Sequence, residues 1–177
     1  MPMQMTAGTW EDAEALVGTV IAELAGADPV NDVMVRHHLE AFEWDAPHFQ
    51  DDAAARRAGL PGRIAPCSMY MTFGMPAYWR SGDAALQPGA VAPFAFGSVP
   101  APGTAMMATG TSVDFGVPMR PGDRLSAQWR LAALTRKTLK VGDGAFLDFE
   151  VTYRNQDGDV VAVERTSVFR YEPASPA

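Results

Sequence analysis

Three side chains that could move protons lie within six residues of one another. Glu43 and Asp45 carry carboxylates, and His48 carries an imidazole. A carboxylate and an imidazole on one loop can hold a water molecule and carry its proton in either direction. We therefore take Glu43, Asp45 and His48 as candidate catalytic residues for chemistry on a bound water. The other two histidines, His37 and His38, are neighbours on a predicted helix, and no role is expected for them.

The sequence offers little for metal or redox chemistry. Cys67 is the single cysteine, which excludes an internal disulfide and a zinc site built from several cysteines. We find no cluster of ligand residues and no glycine-rich phosphate loop. We therefore expect no metal and no cofactor. The apolar surroundings of Cys67 favour packing in the core, and lining of a substrate pocket is the alternative.

Length and charge limit the classes of function. The chain has 177 residues, 47% of them hydrophobic, and a net charge of −7. This composition predicts one domain over residues 1–177, with flexible ends near 1–9 and 173–177. An acidic chain lacks the basic face that nucleic acids or anionic membranes require. No signal peptide and no apolar stretch of roughly 20 residues is evident, so we expect a cytoplasmic protein.

Helical patterns surround the loop that carries the candidate residues. Apolar spacing predicts a helix over Val30–Phe42, capped by Asp28 or Asn31. A short helix is predicted over Asp51–Ala58, which has acidic residues at its start and arginines near its end. The segment Cys67–Met75 is almost wholly apolar and predicts a helix that is buried on most of its faces.

The second half of the chain has the alternation of β-strands. One predicted strand places Leu125, Ala127, Trp129, Leu131 and Ala133 on the same face. Helices followed by an antiparallel meander predict an α+β domain in which a curved sheet wraps a buried helix. The predicted strands are Met106–Phe115, Arg124–Thr135, Ala145–Arg154 and Val160–Tyr171, and the last three are joined by turns at Gly142–Gly144 and Asn155–Gly158.

Five segments, taken in order, resemble the MaoC-like hydratases and dehydratases. They are residues 28–42 (DPVNDVMVRHHLEAF), the stretch Pro47…Asp51…Gly59, Ile64–Pro66, residues 117–123 (VPMRPGD) and residues 155–159 (NQDGD). The resemblance covers about residues 16–171. It is nearest to the N-terminal-type MaoC-like domains of bacterial acyl-CoA catabolism and polyketide-related pathways.

The resemblance implies a fold, a reaction and a partner. The fold would be a single hot-dog domain with Cys67–Met75 as its central helix. The reaction would be reversible addition of water to the α,β double bond of an acyl-CoA or acyl-carrier thioester. The substrate would lie in a tunnel between two hot-dog subunits, identical or different. The expected substrate-binding residues are Trp44, Phe49, Cys67 and Tyr70, with Arg63 meeting the phosphates of coenzyme A.

The catalytic motif of the family is altered in this chain. The family places a catalytic Asp and a catalytic His five positions apart. When Pro47 is aligned without a gap, Trp44 falls at the Asp position and Phe49 at the His position. Trp44 would then fill the pocket that the missing Asp lines. A slip of one residue instead gives Glu43 and His48 the family spacing, with Asp45 between them.

Three interpretations follow from the altered motif. In the first, the chain is a hydratase or dehydratase in which His48 works with Asp45 or Glu43. In the second, it is a non-catalytic subunit, and its hot-dog partner keeps the motif. In the third, the scaffold serves another biosynthetic reaction, a cyclisation or an isomerisation.

Overall fold

A five-stranded antiparallel sheet organises the chain. The computed structural model describes residues 5–77 and 95–174. The strand order across the sheet is β1-β3-β4-β5-β2, and each neighbouring pair is antiparallel. The α+β prediction is therefore confirmed. The strands are β1 (Val20–Ala25), β2 (Ala105–Phe115), β3 (Ser126–Leu139), β4 (Gly142–Arg154) and β5 (Val160–Pro173).

Short helices connect the strands. Asn31, one of the two predicted caps, accepts a hydrogen bond from the Met34 backbone N–H and begins α2. Asp51 does the same for α3 through the N–H of Ala54. These caps satisfy N–H groups that have no partner within the helix. The helices are α1 (Trp10–Glu14), α2 (Asp32–Ala41), α3 (Asp52–Arg57) and α4 (Tyr70–Gly74).

The central helix consists of a 3-10 turn over Cys67–Met69 followed by α4. Met69, Tyr70 and Phe73 are buried against the inner face of the sheet. Gly74 lies against Tyr153, and a Cβ at position 74 would come within 2.6 Å of that ring. The opposite face of the helix is open, and Cys67 is exposed. The expectation that Cys67 packs in the core is therefore wrong.

Strand alternation follows the prediction in β4 and departs from it in β3. Leu147, Phe149, Val151 and Tyr153 are buried, as predicted. In β3 a bulge after Leu131 moves Ala133 out of the inward register and opposite Asp148, on the outer face.

The turn between β3 and β4 also differs from the prediction. It lies at residues 140–141, and Gly142 and Gly144 are already part of β4. A Cβ at Gly144 would come within 2.2 Å of the Arg170 carbonyl oxygen of β5. These glycines therefore permit close strand approach. The turn predicted at Asn155–Gly158 is confirmed by the hydrogen bond from Gly158 N–H to the Asn155 carbonyl.

Candidate functional site

The loop with the predicted acid–base residues leaves α2 through a left-handed residue. Glu43 has a φ of 49°, which is strained for a residue with a side chain. The loop then runs into a 3-10 turn over Pro47–Phe49. Glu43 and Asp45 are exposed, and His48 is half-buried. The loop therefore presents its titratable groups to solvent.

The structure does not bring the predicted catalytic residues together. Across residues 5–77 and 95–174, no hydrogen bond or ion pair joins His48 to Glu43 or Asp45. The His48 ring instead contacts the ring of Phe49, with 4.1 Å between the two ring centroids. A general base needs a partner or a water within hydrogen-bond reach. In this conformation the loop alone holds no assembled carboxylate–histidine pair.

Trp44 and Phe49, which the ungapped alignment puts at the family's catalytic positions, meet edge to face with ring centroids 5.4 Å apart. Phe49 is buried, whereas 48% of Trp44 is exposed. The expectation that Trp44 fills a pocket is therefore wrong for the isolated chain. The indole instead adds to an apolar surface that includes the exposed Phe42.

Arg63 is occupied by carboxylates of its own chain. Its Nη1 lies 2.8 Å from Asp32 Oδ2, and its Nε lies 3.5 Å from Asp52 Oδ1. The backbone N–H of Arg63 also donates to Asp52, which lowers the pKa of that carboxyl. The hydrogen bond with Asp32 raises the pKa of Arg63. The guanidinium therefore ties α2 to α3, and it is not free to meet the phosphates of coenzyme A as predicted.

Tyr70 lies in the core and belongs to a buried polar triad. Its hydroxyl donates to Glu164 Oε2 at 3.2 Å, and the Tyr153 hydroxyl donates to the same oxygen at 3.3 Å. Burial raises the pKa of Glu164. Burial and the neighbouring carboxyl also raise the pKa of both tyrosines. Tyr70 was predicted to bind substrate, but in the isolated chain it is inaccessible, with 6% exposed.

Arg170 forms a second buried polar centre on β5 that the sequence analysis did not single out. Its guanidinium donates to four backbone carbonyls, those of Thr6, Val99, Ala101 and Gly103. Burial lowers its pKa. The end predicted to be flexible over residues 1–9 is thus held at Thr6.

A serine–histidine pair was also missed. Ser68 Oγ lies 3.3 Å from His38 Nε2, and it connects the start of the central helix to α2. The His38 ring also lies 5.0 Å from the Phe42 ring. Only tertiary structure reveals this pair, because the two residues are 30 positions apart.

A groove of about 450 Å³ lies on the outer face of the sheet. Two bulges, one in β2 and one in β3, lie along it. Its charges pair with one another, since Glu150 contacts both Arg130 and Arg165. The hydrogen bond from Arg130 lowers the pKa of Glu150. The groove is on the opposite side of the sheet from the central helix.

The described part of the chain holds neither a metal cluster nor a membrane-spanning helix. Within it, no group of three or more His, Cys, Asp or Glu side chains is placed to hold a metal ion. None of its helices has the length and apolar character needed to cross a membrane.

Comparisons with known sequences give a consistent family. A family model described as "FAS1-like, dehydratase domain region" matches residues 15–164. The chain is 32% identical over 162 residues to a probable enoyl-CoA hydratase alpha subunit of Thermomonospora curvata, covering 90% of this chain and 51% of that protein. It is 27% identical to the 3-oxo-4,17-pregnadiene-20-carboxyl-CoA hydratase alpha subunit of Mycobacterium tuberculosis, covering 83% and 46%. The chain thus spans about half the length of the curated relatives it matches.

Solved structures agree on the fold. A chain of the ChsH1–ChsH2 complex of Mycobacterium tuberculosis superposes with a TM-score of 0.69 and 25% identity, covering 94% of this chain and 90% of that one. The MaoC-like dehydratase of Rhodospirillum rubrum gives a TM-score of 0.60 at 23% identity, covering 89% and 95%. With its central helix against a curved antiparallel sheet, the chain belongs to the FAS1-like dehydratase-region family and has the hot-dog fold of the MaoC-like proteins.

Proposed function

We propose that this chain is one hot-dog subunit of a hydratase that acts on acyl-CoA thioesters, and that a second hot-dog domain supplies the Asp/His pair. The observation that carries the proposal is that, in the described structure, the 43–50 loop has no assembled carboxylate–histidine pair. Trp44 and Phe49 stand at the catalytic positions, and His48 contacts an aromatic ring rather than a carboxylate. The names of the relatives, both hydratase alpha subunits for CoA thioesters, support this substrate class.

The edge of the sheet supports a partner of the same architecture. Strand β2 lies at one edge and pairs only with β5 in the described structure. Its second edge is open, and Met107 and Phe115 are exposed along it. An open strand edge is a template for pairing with another strand. We therefore place the second hot-dog domain at β2.

The proposed reaction is the addition of water to an enoyl thioester. The water oxygen forms a bond to the β carbon while a base takes one of its protons. The electron pair of the double bond moves towards the thioester carbonyl. The α carbon then takes a proton, and the product is the 3-hydroxyacyl thioester. One Asp/His pair can serve as base and then as acid.

A second candidate keeps the chemistry on this chain's own loop. Glu43 and Asp45 are exposed, and His48 is half-buried, so movement of the loop could bring a carboxylate to the imidazole. In that case the purified chain alone is active, and His48→Ala abolishes turnover without unfolding the protein.

The test is the loss of enoyl-thioester absorbance on short, long and polycyclic enoyl-CoAs. We expect the purified chain to be inactive alone and the complex with a motif-bearing hot-dog protein to be active. In the complex, replacing the partner's Asp or His should abolish hydration. Full activity of the chain without a partner would contradict the proposal and favour the second candidate. An inactive complex across the whole panel would contradict both.

A further inference from the structure

Of the three histidines in the sequence, His38 has the environment of a general base. Its Nε2 faces the Ser68 hydroxyl at 3.3 Å. The Nε2 of His37 instead lies 3.1 Å from the Arg36 guanidinium, which is not a group that a histidine can deprotonate. The His48 ring contacts the Phe49 ring at a tilt of 48°, and within the described residues it has no hydrogen bond. His38 is thus the histidine next to a group that it could deprotonate.

The pair is accessible to a substrate. Ser68 is exposed and His38 is half-buried in the isolated chain. Ser68 lies at the start of the central helix, on the face turned away from the sheet, and Met69 after it is buried. Phe42 covers one side of the imidazole and is itself 69% exposed. A hydroxyl beside an imidazole, on a rigid element and next to an apolar surface, is the arrangement of an activated nucleophile. Its separation of 3.3 Å is slightly longer than that of an assembled pair, as is common before substrate binds.

We propose that Ser68 and His38 form a nucleophile–base pair that hydrolyses acyl-CoA thioesters. The choice of a thioester as the electrophile rests on the proposed function, which brings this substrate class to the protein. Because the pair is open to water, an acyl group held on Ser68 would pass to water rather than remain bound.

The reaction has two balanced steps. In the first, Ser68 Oγ bonds to the thioester carbonyl carbon, and its proton passes to His38 Nε2. The carbon–sulfur bond breaks, and the sulfur leaves with that proton as the free thiol of coenzyme A. In the second, a water attacks the acyl-serine ester and gives its proton to His38. The carbon–oxygen bond breaks, Ser68 recovers the proton, and a carboxylic acid is released.

The experiment uses saturated acyl-CoAs, butyryl-CoA and decanoyl-CoA, because they have no double bond to hydrate. A thiol reagent reports the free coenzyme A that is released. Since Cys67 is exposed and would react with the reagent, the assay is done in the Cys67→Ser background. We expect Ser68→Ala to reduce release to the rate in buffer and His38→Ala to reduce it about 100-fold. His37→Ala is the matched control and should stay within about twofold of the parent.

Intact-mass measurement adds a readout that a structural role would not give. When the protein is quenched in acid during turnover, the parent should show a transient species heavier by one acyl group, and Ser68→Ala should not. The inference is overturned if no thiol appears above the buffer rate or if release survives Ser68→Ala. It is also overturned if an acyl adduct found on the wild type by intact mass disappears with Cys67→Ser, since the thiol would then be the acyl acceptor. Hydration of enoyl-CoA by the complex is measured separately, so either proposal can fail while the other stands.

Discussion

Polar groups are buried and hydrogen-bonded on the inner face of β5, whereas in the 43–50 loop they are exposed to solvent. On β5, Glu164 and Arg170 are buried among apolar residues. Two tyrosine hydroxyls donate to Glu164, and Arg170 donates to four carbonyls. In the loop, Glu43 and Asp45 are exposed and lack any such partners in the described structure. A buried polar group without a hydrogen bond is costly, whereas an exposed one is satisfied by water.

The contrast separates polar groups that hold the fold from those that are free for function. The β5 groups are fixed by partners within the chain, so their main effect is on stability. The loop groups have no fixed geometry, and a second domain can still determine their surroundings. Variants on β5 should therefore change unfolding, and variants in the loop should leave it unchanged.

The largest effect is expected at Arg170. Arg170→Met keeps the approximate volume of the side chain but removes the donor from four carbonyls. Those of Val99 and Ala101 are buried, and those of Thr6 and Gly103 are part-buried. Unpaired buried groups each cost about 1–3 kcal/mol, and water entry recovers part of that. We expect the free energy of unfolding in urea to fall by about 4 kcal/mol. Arg154→Met is the control, because Arg154 is exposed and should change stability by less than about 0.5 kcal/mol. Equal effects at the two sites would contradict the contrast.

The second effect is expected at Glu164. Glu164→Leu removes the acceptor of two buried hydroxyls and should lower the free energy of unfolding by about 2 kcal/mol. Glu164→Gln keeps an acceptor and should lie within about 1 kcal/mol of the wild type at low pH.

The pH dependence tests the protonation of Glu164. Burial raises the folded-state pKa of Glu164 above its unfolded value, so the folded protein binds this proton more tightly. The stability from this group is fully present below the unfolded pKa and is lost as pH rises through the folded pKa. Glu150 and Asp52 have lowered pKa values and act in the opposite sense. The difference between wild type and Glu164→Gln isolates Glu164. A difference that does not vary with pH would show that folding does not raise the pKa of Glu164, and it would contradict this prediction.

Much of the fold was predictable because its signals are local. Alternation in β4 and the caps at Asn31 and Asp51 depend on neighbours a few residues away. The errors occurred where distant backbone decides the outcome. The bulge after Leu131 cannot be read from β3 alone, and the glycines at 142 and 144 looked like a turn because the proximity of β5 is not visible in sequence.

The candidate site was less predictable for the same reason. Residue types located the 43–48 loop but not the distances within it. The inward register of β5 places Glu164 and Arg170 on the face of Ala162 and Val168, so an inward polar residue was a signal that could have been used. The pairing of Ser68 with His38 had no such signal, because it depends on how α2 packs beside the central helix.

A smaller effect is expected at Arg63, and it tests whether this side chain links α2 to α3 or binds phosphate. Arg63→Met breaks the link between Asp32 and Asp52, both of them exposed, and should lower the urea midpoint of unfolding only slightly, because exposed ion pairs contribute little to stability. High salt should reduce this difference, since the ion pair is partly screened. Because the Arg63 guanidinium is already paired with carboxylates, Arg63→Met should change the KM of the proposed hydratase complex for enoyl-CoA by less than about twofold. A large rise in KM with unchanged stability would instead assign Arg63 to phosphate binding, as the sequence predicted.

The smallest effect is expected at His48, and finding no effect there would support the proposed partner. His48→Ala removes a half-buried ring whose recorded contact is with Phe49, so the free energy of unfolding should change by less than about 0.5 kcal/mol. If the proton-transfer pair is on the partner, as proposed, hydration by the complex should stay within about threefold of the wild type. The variant should be compared with Glu43→Gln and Asp45→Asn, which keep the side-chain shapes. If His48→Ala and one carboxylate variant each abolish hydration while stability is unchanged, the loop closes on substrate, and the catalytic pair belongs to this chain.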